Sequence, residues 1–585
     1  MKYEKLIVEV FAWLGLLPRD NQVKHINQIC EAFLDEGYHN VTLSAPTGSG
    51  KSIIGAVVAE VLHRVKNPGD DSPASFMLSA TNVLLDQYMN TFNRQNDTDN
   101  TKFFVIKGAG NYECDAMSTP QEPQTAEACA ITMFRKTSAE NIIQTFCGQC
   151  EYQKAKAMKG KARHLILNYA YYFIDRMYSS APMERRTVSV YDEAHLLNDL
   201  FVEHNAIYFS EKRLISYAEE ASENLKLANT EIFKNLKTIR THLEEGKITE
   251  KNYRTYLKTL LDTYTAISQL AKAEADRNTR QQNKYLKLMK LSKKYYNLGC
   301  KIDDLFTFDY QHVFEYKAKD VKKQQNEHEI SVKPVFIGDM FQALDNSEFN
   351  LLMSATISEQ YVKRTMTLDG KTKHIRLEPH FPPENKKVVF YKPMVLNYNS
   401  MKSDDTLKRL SSSITDIVKH HTAKDERGII LAPSFVIAER AAKSIFATKI
   451  NTKVFEHRRG EKLAEILEKF KAYSSGPAVL ITPSGFEGVD LPGSLCRYQI
   501  IVKMPYASLG DKRIAHILET FPDVYQAIAL KKLVQGAGRG VRSVDDWAIT
   551  YVLDTAAQKV WQSKANEWND EFSTSFKSSL TLCED

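Results

Sequence analysis

At 585 residues the chain is too long for one hydrophobic core, so several domains are expected. Hydrophobic residues at 43% and charged residues at 26% suit a soluble globular protein, and no apolar run is long enough to span a bilayer, so a membrane partner is excluded. The formal net charge of +6 is mildly basic and does not by itself imply a nucleic-acid partner.

The segment Met1–Leu17 has apolar residues broken by Glu4, Lys5 and Glu9 and no small-residue cleavage site. It reads as a helix and not a signal peptide, and an intracellular location is expected. Asn40–Ser44 is a short β-type run that feeds a glycine-rich turn, and Ser52–Val65 reads as a helix. Ala74–Ala80 is a second strand, followed by helical Val83–Phe92; Val188–Tyr191 is a buried-strand pattern that ends in acids. This alternation predicts a parallel sheet covered by helices. Two stretches interrupt it. Lys107–Gly160 is polar and irregular and holds clustered cysteines. Phe209–Lys323 has apolar residues at helical spacing, such as Leu288, Leu291, Tyr295 and Leu298, and reads as a mainly helical insertion. Strand-like sequence resumes near Ile330, and Phe349–Met353 leads into Ser354-Ala355-Thr356. A second α/β region begins near Lys387, with strand runs at Val388–Tyr391, Gly428–Leu431, Ala478–Ile481 and Tyr498–Val502. The fold class is α/β, in two halves, with the insertions in the first.

Ala45-Pro46-Thr47-Gly48-Ser49-Gly50-Lys51-Ser52 lies between a strand and a helix. Backbone N–H groups of such a loop cradle phosphates, and the helix N-terminus adds a favourable dipole. Lys51 would neutralise the β- and γ-phosphates and Ser52 would ligate Mg²⁺. A small residue, Ala45, stands where the strict pattern has glycine. Hydrolysis also needs a carboxylate for the metal and a group to orient water. Asp192, at the end of an apolar strand, can hold Mg²⁺, and Glu193 can polarise the attacking water. Either motif alone has a bland reading, as a chance turn or an exposed helix start; together they specify ATP hydrolysis.

Four of the eight cysteines, Cys30, Cys300, Cys496 and Cys583, are scattered. Cys114, Cys129, Cys147 and Cys150 form C-x14-C-x17-C-x2-C. Four thiolates suit Zn²⁺ or an iron–sulfur cluster, and spacing alone does not decide between them. Zinc sites more often show two close pairs, and disulfides are disfavoured inside cells. Lys154, Lys156, Lys159, Lys161 and Arg163 form a basic run, with Tyr169, Tyr171 and Tyr172 close behind and Tyr112 beside the first cysteine. Such a groove with stacking rings would track a single strand, although a lysine run is usually a solvated face and tyrosines are often core. Lys284, Lys287, Lys290, Lys293 and Lys294 are a weaker basic stretch.

The motifs, in order, resemble those of superfamily 2 helicases. Arg19-Asp20-Asn21-Gln22 is similar to the adenine-reading element, and Ser79–Gln87, with Thr81, to the first strand-contacting motif. Ser354–Thr356 is similar to the coupling motif, and Gly428–Phe435 and Gly485–Gly493 to second-lobe motifs, which implies nucleotide contacts from Glu487, Gly488 and Asp490. Gln535-Gly-Ala-Gly-Arg539-Gly-Val-Arg542 resembles the final arginine motif, whose arginines stabilise charge on the transferred phosphoryl group. The cysteine segment, opened by Lys107–Cys114 and closed by Cys150–Tyr152, and the run His164–Tyr172, with Asn168 and Tyr169, resemble the XPD/DinG branch.

That resemblance implies two RecA-like motor domains, a [4Fe-4S] cluster on the four cysteines and an Arch-like helical insertion. It also implies Mg²⁺, ATP as substrate, and movement 5′ to 3′ on single-stranded or forked DNA. The implied division is 1–107, 158–205 and 328–382 for the first motor domain, 108–157 for the iron–sulfur domain, 206–327 for the insertion and 383–585 for the second motor domain. No additional N-terminal nuclease domain is expected, since the first motif begins about twenty residues in. A DEAH-type RNA helicase or a zinc-containing nucleic-acid-dependent ATPase are the alternatives.

Overall fold

The computed structural model describes residues 1–19, 21–46, 49–92, 102–119, 121–129, 135, 137, 139–179, 181–225, 230–308, 311–320, 325–338, 340–368, 370–377, 382, 385–486, 489, 491–537, 540–541, 545–562 and 580–582. Strands β1 (Asn40–Ser44), β2 (Ser75–Ser79) and β5 (Arg186–Asp192) are buried at every position. Burial on both faces is what a parallel sheet sandwiched by helices requires, and it explains why these runs are apolar without alternation. β3 (Phe103–Val105) pairs parallel with β4 (His164–Asn168), and β2 pairs parallel with both β4 and β5.

The insertion carries strands as well as helices. β6 (Ile207–Ser210), β7 (His312–Lys317) and β8 (Glu329–Pro334) form an antiparallel sheet in the order β6-β8-β7. The strand expected near Ile330 is therefore present, but it pairs within the insertion. Four helices, Glu211–Leu225, Glu231–Glu244, Tyr253–Arg277 and Gln282–Thr307, pack on this sheet around Phe209, Leu257, Leu260, Tyr264, Tyr295 and Val332. Ser268 and Ser292 donate to each other's carbonyl oxygens at 2.9 Å, which brings the two long helices together. The stripe Leu288, Leu291 and Tyr295 faces inward as its spacing predicts.

β9 (Ser347–Ser354) and β10 (Thr372–Arg376) complete a seven-stranded sheet in the order β10-β1-β9-β5-β2-β4-β3. The second sheet contains β11 (Lys386–Met394), β12 (Gly428–Leu431), β13 (Lys453–Glu456), β14 (Ala478–Thr482), β15 (Tyr498–Ile501), β16 (Ala548–Asp554) and β17 (Leu580–Leu582). Its order is β13-β14-β12-β15-β16-β11-β17, with parallel pairing throughout. Gly428 opens β12 because any side chain there would stand 2.5 Å from the Tyr498 ring. The two sheets confirm the α/β class and the two parallel-sheet domains. The chain divides into two compact units. One holds Met1–Val41, Ile54–Leu352 and Thr365–Thr372; the other holds Thr42–Ile53, Met353–Arg364 and Lys373–Asp585. Among the described residues no helix is long and apolar enough to cross a membrane.

Within the first unit one buried charge cluster ties the helix Lys51–Lys66 to β4. Glu60 is fully buried and accepts from Arg64 Nε at 2.6 Å and from Arg163 Nε and Nη2 at 2.8 and 3.0 Å, with His164 Nε2 at 3.1 Å. Burial alone would raise its carboxyl, but the bonds from His164, Arg163 and Arg64 hold it well below the usual range. Stability from such a depressed carboxyl is present above its unfolded value, about 4.3, and is lost as the pH falls from there. Removing one partner of a buried ion cluster strands the others, so Glu60→Ala should cost about 3–5 kcal/mol in urea unfolding. Lys443→Ala, which breaks only an exposed pair with Glu439, should leave the unfolding midpoint unmoved.

Candidate nucleotide and nucleic-acid site

The phosphate loop follows directly from β1. Ala45 is fully buried and its N–H donates to the Ser354 carbonyl at 2.9 Å, so the loop is tied to the Ser-Ala-Thr turn in the same unit. So buried a position suits the small side chain of alanine. The Ser49 N–H donates to the Pro46 carbonyl at 3.2 Å, and Gly50 takes a left-handed φ of 78°. That conformation costs glycine little and turns the chain into the helix that starts at Lys51. Lys51 and Ser52 therefore stand at a helix N-terminus, where the dipole favours an anion. Thr47 and Gly48 lie outside the described residues.

The acidic motif is built on β5. Asp192, nearly buried, ends the strand. Its Oδ2 accepts from the Tyr88 hydroxyl at 2.5 Å, its Oδ1 accepts from the Glu193 N–H at 3.0 Å, and its carbonyl accepts from the Tyr169 hydroxyl at 2.7 Å. Glu193 has φ 51°, a left-handed conformation that costs a non-glycine residue roughly 1–3 kcal/mol. That kink separates the strand from the turn Ala194–Leu196. Glu193 Oε2 lies 3.2 Å from Nδ1 of buried His195, while the Glu193 side chain stays 31% exposed and open to water. The arrangement sets a carboxylate fixed by hydrogen bonds beside one that reaches solvent.

Three further expected elements are described in part. Gln22 Oε1 accepts from the Arg19 N–H at 3.0 Å, and Gln22 N–H donates back to the Arg19 carbonyl at 2.9 Å, closing a turn at the helix start. Thr356 is buried, its N–H donates to Ser354 Oγ at 3.0 Å, and its hydroxyl accepts from Gln535 Nε2 at 3.5 Å within the second unit. Glu487, Gly488, Asp490, Arg539 and Arg542 lie outside the described residues.

The nucleic-acid candidates divide into two groups. Thr81 is exposed at the start of the helix Asn82–Phe92. Asn168 Nδ2 donates to Asn82 Oδ1 at 2.7 Å, and Asn82 Nδ2 donates to Asn111 Oδ1 at 3.1 Å. This chain of amides joins β4, the strand-contacting motif and the approach to Cys114. Beside it the Tyr112 hydroxyl accepts from the Lys107 N–H at 3.0 Å, and its ring lies 5.6 Å from that of Tyr152. Lys154 and Lys156 are exposed; Lys154 bonds Glu151 at 2.7 Å, and Lys156 lies over the Tyr152 ring.

Burial corrects the expected contacts of Tyr169, Tyr172 and Arg163. Tyr169 is 1% exposed, with its ring in the core and its hydroxyl on Asp192, so it offers no face to a base. Tyr172 is equally buried and donates to the Leu344 carbonyl. Lys159 pairs with Asp175, and Arg163 belongs to the Glu60 cluster. The basic run thus splits into an exposed part and an internal one. In the insertion Lys284 pairs with Glu274, Lys294 with Glu220, and Lys290 donates to Gln124.

Cys114, Cys129, Cys147 and Cys150 line one cavity of about 310 Å³, with Phe146, Glu151 and Tyr152 among its walls. None of the four is in a disulfide. Burial, and then the neighbouring thiols, push the Cys114 thiol up to about 11, and the same causes raise Cys147. Among the described residues no three His, Cys, Asp or Glu side chains are gathered to hold a metal ion. A single ion needs its ligands drawn onto one point.

Residues 417–572 match the family model for the helicase C-terminal domain, and residues 15–230 match that for the type III restriction enzyme res subunit. No curated protein matches the sequence. The solved structure named XPD_Helicase superposes with a TM-score of 0.61 at 17% identity, over 97% of this chain and 99% of that one. The structure named XPD_APO gives 0.54 at 17% identity, over 93% and 99%. Xpd4 of S. tokodaii gives 0.54 at 14% identity, over 97% and 100%. The fold is therefore that of the XPD helicase structures, and one of the two matched regions is a helicase C-terminal domain.

Sequence reasoning missed Tyr88, which lies one residue past the strand-contacting motif and reaches Asp192 from 104 positions away. An internal, aromatic helix position was its only sequence signal. In metal-free protein, alkylation followed by mass spectrometry should label exposed Cys129 first and buried Cys114 last. Cys114 labelling should keep accelerating as the pH rises toward 11, because its raised thiol yields little thiolate below that value.

Proposed function

We propose that this chain is an ATP-dependent motor of superfamily 2 and of the XPD/DinG type, a DNA helicase that uses ATP and Mg²⁺ to move 5′ to 3′ along a single strand, opening forked duplex DNA. We further propose that Cys114, Cys129, Cys147 and Cys150 hold a [4Fe-4S] cluster. The observation that carries the reading is the convergence of these four cysteines on one cavity in a chain with the XPD helicase fold. DNA as the track and the 5′–3′ direction rest on the resemblance of the motifs to the XPD/DinG branch.

The roles follow from residue chemistry. Lys51 neutralises the β- and γ-phosphates at the start of its helix, and Ser52 and Asp192 ligate Mg²⁺. Glu193, open to solvent, orients water for in-line attack on the γ-phosphorus. Arg19 and Gln22 read the base, and Gln535, Arg539 and Arg542, with Glu487, Gly488 and Asp490, supply the second lobe's contacts. Arginines at that position stabilise the charge that spreads over the γ-phosphoryl oxygens. Thr81, Asn168, Tyr112, Lys154 and Lys156 follow the nucleic acid. Cys114, Cys129, Cys147 and Cys150 would hold the cluster, whose iron–thiolate bonds would cross-link the segments that bear them.

Strand displacement on forks with only a 5′ or only a 3′ single-stranded tail tests activity, substrate and direction together. Displacement from the 5′-tailed fork alone is expected, and displacement from the 3′-tailed fork alone would overturn the direction. Lys51→Ala should lower ATP turnover by about 100-fold or more, in line with the loss of one pre-positioned charge at a reacting phosphate. Anaerobically purified protein should be yellow-brown with about four irons per chain. Colourless protein with stoichiometric zinc would contradict the cluster.

A further inference from the structure

The helix Asn82–Phe92 is held at two points that belong to different parts of the reaction. Its first residue, Asn82, bonds Asn168 and Asn111 beside Thr81, where the strand is expected to run. Six residues on, roughly 9 Å along the axis, Tyr88 turns into the core beside Leu85, Phe103 and Ile166. Its hydroxyl donates to Asp192 Oδ2 at 2.5 Å. The other oxygen, Oδ1, takes the Glu193 N–H. A protein donor on each carboxylate oxygen fixes the plane of the group. The Tyr88 ring is only 5% exposed and packs near Phe92, so it cannot swing away without opening the core.

We infer that Tyr88 is a positioning residue for the metal-binding carboxylate of Asp192, and that through it the nucleic-acid end of the helix Asn82–Phe92 sets how tightly Mg²⁺ is held. The inference rests on the proposed role of Asp192 as a metal ligand. No motif assigns Tyr88. Hydrogen bonds to a ligating carboxylate fix its orientation, and losing one typically weakens metal binding 10–100-fold. The helix is short and anchored at Asn82, so a strand seated on Thr81 and Asn82 acts on the same rigid element that carries the Tyr88 hydroxyl.

The experiment titrates Mg²⁺ into the full chain with a non-hydrolysable ATP analogue, with and without a single-stranded DNA oligonucleotide. The readout is analogue binding, so no turnover is needed. Tyr88→Phe removes only the hydroxyl and keeps the ring. The expected result is a half-saturating Mg²⁺ concentration about tenfold higher than in the wild-type chain. The DNA-induced tightening of Mg²⁺ is expected to vanish, and analogue affinity in chelator to stay within twofold. A Mg²⁺ midpoint within twofold of wild type, or retained DNA-induced tightening, would overturn the inference. So would an equal loss of analogue affinity in chelator, which marks a purely structural role. Asp192→Asn separates the two levels: if it leaves Mg²⁺-dependent analogue binding intact, the metal role of Asp192 fails and the inference falls with it. If only Tyr88→Phe is silent, the metal role stands and the inference alone fails.

Discussion

A carboxylate that serves a metal has to remain ionised, point one way and still have a lone pair to give. In this chain the Asp192 carboxylate, the proposed metal ligand, is oriented at the end of a strand buried along its whole length. The Tyr88 hydroxyl and the Glu193 N–H each take one oxygen, and the Tyr169 hydroxyl fixes the carbonyl behind it. Much of the first unit can be understood from that constraint. β5 must be internal so that its end is rigid, which demands β2 beside it and helices over both faces. Glu193 must leave the strand line abruptly, and it does so by accepting a left-handed backbone that most residues avoid. Strain of this kind persists only where the surroundings hold it, and here the strand, the turn and His195 do so.

The insertions fit the same economy. The cysteine segment does not fold by a large core of its own. Cys114 and Met117 pack instead with Ala275, Tyr285, Leu286 and Leu288 from the tip of the helical insertion. The amide chain from Asn168 through Asn82 to Asn111 holds its other side to the motor sheet. So small and polar a segment gains little from hydrophobic burial, and four thiols facing one cavity are where a bound cluster would contribute most.

Strand positions were largely legible because a strand buried on both faces has to be an unbroken apolar run. Asn40–Ser44 and Gly428–Leu431 coincide with β1 and β12, and the phosphate loop is recognisable because its backbone geometry restricts its residues. Roles that depend on a distant partner were not legible. Nothing in the sequence near Tyr88 points to Asp192. Lys159 and Arg163 look the same as Lys154 in a basic run, yet Asp175 and Glu60 draw the first two inward. Tyr169 and Tyr172 looked available for stacking because aromatic residues serve cores and bases equally well by composition; burial decides for the core. The strand at Ile330 was legible as a strand, but pairing is a tertiary choice, and it pairs with β6 and β7.

The central claim is a motor whose hydrolysis is coupled to a DNA track. Steady-state ATP turnover by the full chain in Mg²⁺, with no nucleic acid, with single-stranded DNA and with single-stranded RNA of the same sequence, tests it most directly. The expected result is slow basal turnover that rises strongly with DNA and far less with RNA. Turnover that RNA stimulates as well as or better than DNA, or that neither stimulates, would contradict it.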